Sequence, residues 1–311
     1  MTKDIDFSNL NYYEQEPEEN TFSDIVIDLT HRCNMECKNC YIPNRLFPDM
    51  EFEKFYKWLG RLSGRCMIRL VGAEPTLHPH IDKFINATTE FGHMNVLCTN
   101  GLRLASNNFA KRLSKTTLRA VYISLNGVDN DDWYEEIDEL RCAKKKIQAV
   151  QHIKDFGFSL DTGTIIVKGI NEEAPSRLLH LMNDKDIDTV TMRIKNVGQL
   201  GRYQKDEDEN IKLKGLVTLC SQQFNLSEDY IWSHYGKVHR YGGRSEQGTI
   251  EFPMDEGNTD RYNKRWIKIT DWDTDNNVGI PDPGSQRRGR LTENWTIAPM
   301  YEHIKMNEGN Y

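Results

Sequence analysis

Six short apolar or β-branched stretches recur between residues 23 and 195, and the segments separating them carry helical spacing. They are "SDIVIDLT" (23–30), "CMIRLVG" (66–72), "MNVLCT" (94–99), "LRAVYISL" (118–125), "SLDTGTIIVKG" (159–169) and "DTVTMRI" (188–194). Such alternation packs as parallel βαβ units, because parallel strands need a crossover long enough to hold a helix. Helices are expected at 49–62, near 80–91 and 105–114, over a charged region 131–156, and at 175–184. The fold class is therefore α/β, and ligands in such folds gather at the C-terminal ends of the strands.

The pattern changes after "QKDEDEN" (204–210). A helix is expected at 211–225 and strands at 248–252 and 265–272, in a region rich in aromatics, Gly and Pro. The chain divides into an acidic leader (1–22), the alternating unit (23–203) and a smaller α+β extension (204–311) suited to binding substrate or forming a lid. With 38% hydrophobic and 28% charged residues the chain is a globule. No apolar run reaches the roughly 18 residues of a membrane-spanning helix, and the first residues lack a secretory pattern, so a cytoplasmic protein without a membrane partner is expected.

A net charge of -7 argues against wholesale nucleic-acid coating. The stretches "HYGKVHRYGGR" (234–244), "RYNKRWIK" (261–268) and "SQRRGR" (285–290) mix basic and aromatic residues, but ten Lys and Arg between 235 and 290 face nine Asp and Glu. A mixed-charge surface is favoured there over a nucleic-acid groove.

Three of the seven cysteines, Cys33, Cys37 and Cys40, fall in "DLTHRCNMECKNCYIP", the loop after the first strand. In a reducing compartment clustered thiols point to metal or catalysis. Structural zinc takes four protein ligands, usually as two close pairs, and no second pair occurs downstream, while His31 is awkwardly near. A [4Fe-4S] cube on three thiolates leaves one iron for a small molecule. Cys66, Cys98, Cys142 and Cys220 read as small buried hydrophobes, Cys142 least securely.

The Cys-x3-Cys-x2-Cys spacing and its place after the first strand resemble the radical S-adenosylmethionine (radical SAM) enzymes, of a single-cluster type without a SPASM-like cysteine extension. The resemblance implies a partial (β/α)6 TIM-like barrel, a [4Fe-4S] cluster on Cys33, Cys37 and Cys40, and S-adenosylmethionine on the vacant iron. An aromatic often precedes the third cysteine in that family, whereas here Asn39 precedes it and Tyr41 follows, making Tyr41 the candidate beside the adenine.

"GAEP" (72–75) looks like the family's GGEP motif, with Ala73 for the second glycine. By resemblance Gly72, Ala73, Glu74 and Pro75 bind the methionine amino group. "TNG" after the third strand and "SLNG" after the fourth are similar to recurrent signatures, making Thr99, Asn100, Ser124 and Asn126 candidates for ribose and carboxylate. Arg193 is a candidate for the cofactor carboxylate or for a structural ion pair, with Lys168 and Asn171 weaker candidates.

The reaction implied is reductive cleavage of S-adenosylmethionine to a 5′-deoxyadenosyl radical, which abstracts hydrogen from a small-molecule, nucleotide or peptide substrate. An external one-electron reductant of flavodoxin or ferredoxin type is implied. The readings set against this are a non-catalytic zinc or electron-transfer module and, within the enzyme class, an RNA-modifying enzyme.

Overall fold

The computed structural model describes residues 13–40, 42, 47–197, 210–236, 248–255, 264–271 and 288–299. Six parallel strands, β1 (Asp24–Asp28), β2 (Met67–Val71), β3 (Met94–Thr99), β4 (Ala120–Ser124), β5 (Ser159–Ile166) and β6 (Val190–Asn196), lie side by side in sequence order. Between them run α1 (Phe52–Arg61), α2 (Ile81–Glu90), α3 (Asn107–Leu113), α4 (Asp131–Asp138), α5 (Ala143–Asp155) and α6 (Ala174–Asp184). This is a partial TIM-like barrel.

The strands are not the uniformly apolar runs usual in parallel sheets covered on both faces. One face carries Ile25, Ile27, Ile68, Leu70, Leu97, Val121, Ile123, Met192 and Ile194, all fully buried in the main core with the helices. Within α1, Phe55, Trp58 and Leu59 recur at helical spacing and are buried in that core, each contributing about 1.5–3 kcal/mol. The alternate strand positions hold Asp24, Asp28, Arg69, Cys98, Tyr122, Asp161, Arg193 and Lys195. Asp24 on β1 feels Arg193 on β6, so the sheet curls until its first and sixth strands face one another across a charged lumen.

The charged region 131–156 is two helices, not one. Asn130 caps α4 by accepting from the N–H groups of Asp132 and Trp133, and Glu139 leaves it in the left-handed region (φ 53°). The amide of Ala143 then donates to Asp131 Oδ1 (2.8 Å), folding the start of α5 back on the start of α4.

The chain beyond 204 adds to the same sheet. After α7 (Leu213–Phe224) and α8 (Glu228–Trp232), β7 (Thr249–Pro253) pairs antiparallel with β8 (Arg265–Thr270), which runs parallel to β6. On the other side β9 (Arg288–Leu291) runs parallel to β1, and β10 (Ile297–Pro299) closes antiparallel on β9. The boundary near 204 is thus crossed by one ten-stranded sheet, ordered β10-β9-β1-β2-β3-β4-β5-β6-β8-β7. The described part of the leader is docked as well, since Gln15 exchanges two 2.9 Å backbone hydrogen bonds with Ile297 and Arg61 pairs with Glu16 and Glu18. Among the described residues no helix is long and apolar enough to cross a membrane.

Candidate active site at the strand ends

The loop after β1 is closed at its base. Met50 N–H donates to Leu29 O (2.9 Å), and Asp49 receives the Thr30 hydroxyl (2.6 Å) and a two-pronged contact from Arg32 (3.0 and 2.6 Å). Burial opposes the Asp49 charge, yet the Thr30 hydroxyl and Arg32 hold its carboxyl below the usual range. Further round, Lys38 N–H donates to Ile137 O (3.0 Å) and its ammonium meets Glu136 (2.9 Å), stitching the loop to α4. Cys33 and Cys37 pack on a small apolar floor of Met35, Tyr134, Cys142 and Ala143.

No three His, Cys, Asp or Glu side chains among the described residues converge as ligands of one metal ion. A single zinc draws its sulfurs to about 2.3 Å each, whereas a cube offers each thiolate a separate iron and spreads them. Three half-exposed thiols on one loop closed at its base, two of them, Cys33 and Cys37, floored by apolar side chains, fit the cube. Tyr41 lies outside the described residues.

The end of β2 is zipped to the same loop. Leu29 N–H donates to Val71 O, Ala73 N–H to Thr30 O and Glu74 N–H to Arg32 O, at 3.0, 2.9 and 2.9 Å. Gly72 sits at φ 135°, where a Cβ would lie 2.4 Å from Thr30 O; only glycine lets the two loops meet this closely. Pro75 opens a short 3-10 turn, Pro75–Leu77.

Glu74 does not present a free carboxylate. It is fully buried, Oε1 accepting from Thr76 N–H (3.1 Å), the Thr76 hydroxyl and the Thr99 hydroxyl (2.7 Å), and Oε2 from Asn100 N–H (2.7 Å). Its geometry locks the β2 and β3 ends together. Thr99 is consumed in the same lock, also accepting from Gly101 N–H (3.0 Å). Asn100 remains half-open: its Oδ1 accepts from Leu102 N–H (3.0 Å), while Nδ2 reaches Asn34 Oδ1 (2.8 Å) and Cys33 Sγ (3.8 Å).

At the end of β4, Ser124 is half-buried and its carbonyl accepts from the Lys146 ammonium (3.0 Å). Asn126 is buried, Oδ1 accepting from Ile165 N–H (3.0 Å) and Nδ2 donating to Asp138 Oδ1 (2.8 Å). Asn171 is buried too, donating to the carbonyls of Asn126 and Ile165 (2.8 Å each). Lys168 is exposed. Both asparagines therefore bind the fold to itself. Asp138 stands against the Cys37 thiol; burial first, then this neighbour, push the thiol far up. Burial also pushes the Asp138 carboxyl up despite Lys146, Asn126 and Cys37.

Below the strand ends, the lumen holds a set of buried ion pairs. Arg69 meets Asp24 at 2.8 Å, Arg288 meets Asp24 at 3.3 Å, Arg193 meets Asp161 at 2.7 Å, and Arg290 meets Asp28. Arg193 is thus committed to Asp161, the structural ion pair weighed from the sequence. Lys195 donates to Tyr122 Oη (3.2 Å), and Tyr122 lies across Gly163, where a Cβ would sit 1.7 Å from its oxygen. Burial first, then Arg193 and Arg288, push the Lys195 ammonium down to about 7. Most of these groups went unread in the sequence, although charges at alternate positions of otherwise apolar strands were the available signal. Arg288 and Arg290 of "SQRRGR" are lumen residues, not a surface patch. Of the remaining cysteines, Cys66, Cys142 and Cys220 are buried and Cys98 is half-buried beside Arg69 in the lumen.

A curled parallel sheet with a three-cysteine loop after its first strand defines a class of radical enzyme. The chain belongs to the radical SAM superfamily, whose model matches residues 27–182, half of its length. It is therefore an enzyme of the radical SAM class, which uses a [4Fe-4S] cluster and S-adenosylmethionine and needs a reductant and a substrate. The non-catalytic metal module is set aside. The GTP 3',8-cyclase of Staphylococcus carnosus is 23% identical over 240 residues, covering 72% of this chain and 68% of that enzyme. The probable GTP 3',8-cyclase of Aeropyrum pernix is 25% identical over 189 residues, covering 57% and 52%. Among solved structures, Streptococcus suis SuiB superimposes with a TM-score of 0.62 at 16% identity, over 93% of this chain and 63% of that one. SuiB bound to S-adenosylmethionine gives 0.56 at 19% identity, over 68% and 48%. The chain thus spans from about half to two thirds of the length of these relatives.

Proposed function

We propose that this radical SAM enzyme acts on a small anionic molecule of nucleotide type held in the lumen, with Cys33, Cys37 and Cys40 holding the cluster. The observation that carries the substrate reading is charge: Arg69, Arg193, Lys195, Arg288 and Arg290 line the lumen beside Asp24, Asp28 and Asp161. Four guanidiniums and an ammonium that titrates at about 7, against three carboxylates, favour an incoming anion, and a low-dielectric wall strengthens the attraction. The relatives named GTP 3',8-cyclase act, by that name, on a nucleotide.

When bound, the cluster supplies the electron that cleaves S-adenosylmethionine reductively and so yields the radical that abstracts hydrogen from the substrate. The chain's own residues orient and exclude. The backbone at Gly72, Ala73, Glu74 and Pro75, drawn against Thr30 and Arg32, lines the cofactor's methionine end. Asn100 and Ser124 offer amide and hydroxyl groups, while Glu74, Thr99 and Asn126 hold those strand ends in register. Tyr122 and Lys195 face the substrate with a phenol and an ammonium, and β9 walls the lumen beside β1. An external flavodoxin- or ferredoxin-like donor supplies the electron, in keeping with a reducing cytoplasm. The inward placement of Arg288 and Arg290 weakens the RNA reading.

The test is equilibrium binding to anaerobically reconstituted protein. GTP is expected to bind at least tenfold more tightly than guanosine, with the difference shrinking as salt rises. Equal affinities for the two would overturn the anionic-substrate reading.

A further inference from the structure

Beneath the cysteine loop lies a buried pair of opposite charges that the reaction described above does not use. Asp138, at the end of α4, is 1% exposed; Lys146, on α5, is 0% exposed. Asp138 Oδ1 accepts from Asn126 (2.8 Å), while Oδ2 has no hydrogen-bond partner among the described residues; the bond from Lys38 N–H to Ile137 O (3.0 Å) brings the cysteine loop alongside this end of α4. The Lys146 ammonium donates to Ser124 O (3.0 Å), lies 3.4 Å from Ser124 Oγ and stands 5.4 Å from the centre of the Tyr134 ring. Cys37 packs against Tyr134, Cys142 and Ala143, from the same α4–α5 corner as the pair, so both charges lie in the floor beneath its sulfur.

Burying two ionic groups is expensive, and an apolar pair of the same volume packs such a place as well or better. A fold gains little from this arrangement unless it acts on something. Cluster potentials respond to net charge, hydrogen bonding at the sulfurs and exclusion of water, and the first of these is set beside Cys37 by two buried ionic groups. We propose that Asp138 and Lys146 are positioning residues for Cys37, fixing its sulfur from below and setting the local field in which the cluster accepts its electron. The inference rests on Cys37 being a cluster ligand. Lys146 also holds the carbonyl of Ser124, at a strand end assigned to the cofactor.

The signs differ for the two residues. Removing the carboxylate makes added negative charge on the cluster easier to bear, whereas removing the ammonium makes it harder. The experiment is an EPR-monitored reductive titration of the full chain, reconstituted anaerobically, as wild type, Asp138→Asn, Lys146→Met and the double variant, with iron content and circular dichroism on each. The midpoint of Asp138→Asn is expected to move to less negative potential and that of Lys146→Met to more negative potential, with the double variant between them. A folded Asp138→Asn protein that no longer retains iron also supports the positioning role. Should Lys146→Met unfold because it strands a buried carboxylate, Asp138→Asn and the double variant decide. Midpoints and spectra identical to wild type in fully loaded Asp138→Asn and double variants overturn the proposal. A Cys37→Ala protein that still loads a complete cluster overturns instead the ligand assignment beneath it.

Discussion

Replacing Glu74 separates two roles that the motif alone leaves merged. If the carboxylate is a free ligand for the cofactor's amino group, Glu74→Ala lowers S-adenosylmethionine affinity and leaves the apo fold near wild-type stability. The geometry gives the opposite ranking. Four donors, from Thr76 N–H, the Thr76 and Thr99 hydroxyls and Asn100 N–H, end on this one buried carboxylate. A charged hydrogen bond contributes about 1.5–3 kcal/mol, and stranding buried donors adds a cost, while the two hydroxyls recover part of the loss by rotating. A net loss of about 3–5 kcal/mol follows. At about 2.1 cal/mol/K per residue, 311 residues give an unfolding entropy near 650 cal/mol/K, so the apo midpoint should fall by about 5–8 °C. Glu74→Gln should lose about half as much, since an amide oxygen still serves Asn100 N–H and its NH2 turns toward the hydroxyls. Differential scanning calorimetry of the apo chain measures the shift. A Glu74→Ala protein melting within 1 °C of wild type, yet binding the cofactor tenfold more weakly, would refute the lock.

Gly72→Ala places a Cβ 2.4 Å from Thr30 O at φ 135° and should cost about 3 kcal/mol, whereas Gly64→Ala, with nothing within 4 Å, should cost about 1 kcal/mol; thermal melts of both variants rank them. Cys33→Ala, Cys37→Ala and Cys40→Ala should each abolish loading of the cluster, with circular dichroism unchanged; unaltered iron content in all three would refute the ligand set. Lys195, brought down to about 7 inside the lumen, is neutral in the folded chain where the unfolded chain is still protonated, so its contribution makes stability rise from pH 7 toward pH 10. Lys195→Met should flatten that slope in urea melts. The same titration should weaken GTP binding as pH rises above 7 in wild type and not in Lys195→Met.

Much of the barrel is legible in sequence because β1, β2, β4 and β6 keep one apolar face at period two, while β3 and β5 place Asn95, Thr99, Thr162 and Thr164 on theirs, and α1, α2 and α6 keep apolar faces at helical spacing. The missing elements have physical causes. The strand β9 is four residues long, carries Arg288 and Arg290 at its inward positions, and finds its partner β1 more than 260 residues earlier, so no local signal marks it. Its Gly289 is needed because a Cβ there would meet Ile297 at 2.6 Å and Phe22 at 2.8 Å, a long-range constraint. The break between α4 and α5 turns on Glu139 adopting a left-handed conformation, for which its side chain gives no warning. At the site, motif reading marks loops that the fold brings together at the strand ends, but not the direction of each side chain. Glu74, Thr99 and Asn126 are polar groups that the fold itself uses, a distinction set by their partners across the sheet.

The lumen's charge pattern joins the last hundred residues to the site. Two of its five cations, Arg288 and Arg290, arrive on β9, and they stand beside Asp24 and Asp28 because β9 runs parallel to β1 in register with Asp24, Ile25 and Val26. Without that strand, β1 would offer Asp24 only Arg69 and leave Asp28 without its guanidinium partner, a costly state for buried carboxylates. The barrel's first strand is therefore electrostatically completed by a segment from the far end of the chain. On the proposed anionic-substrate reading, an anion entering the lumen would meet a wall built partly by the βα units and partly by this late strand, so its recognition would require both to be folded together.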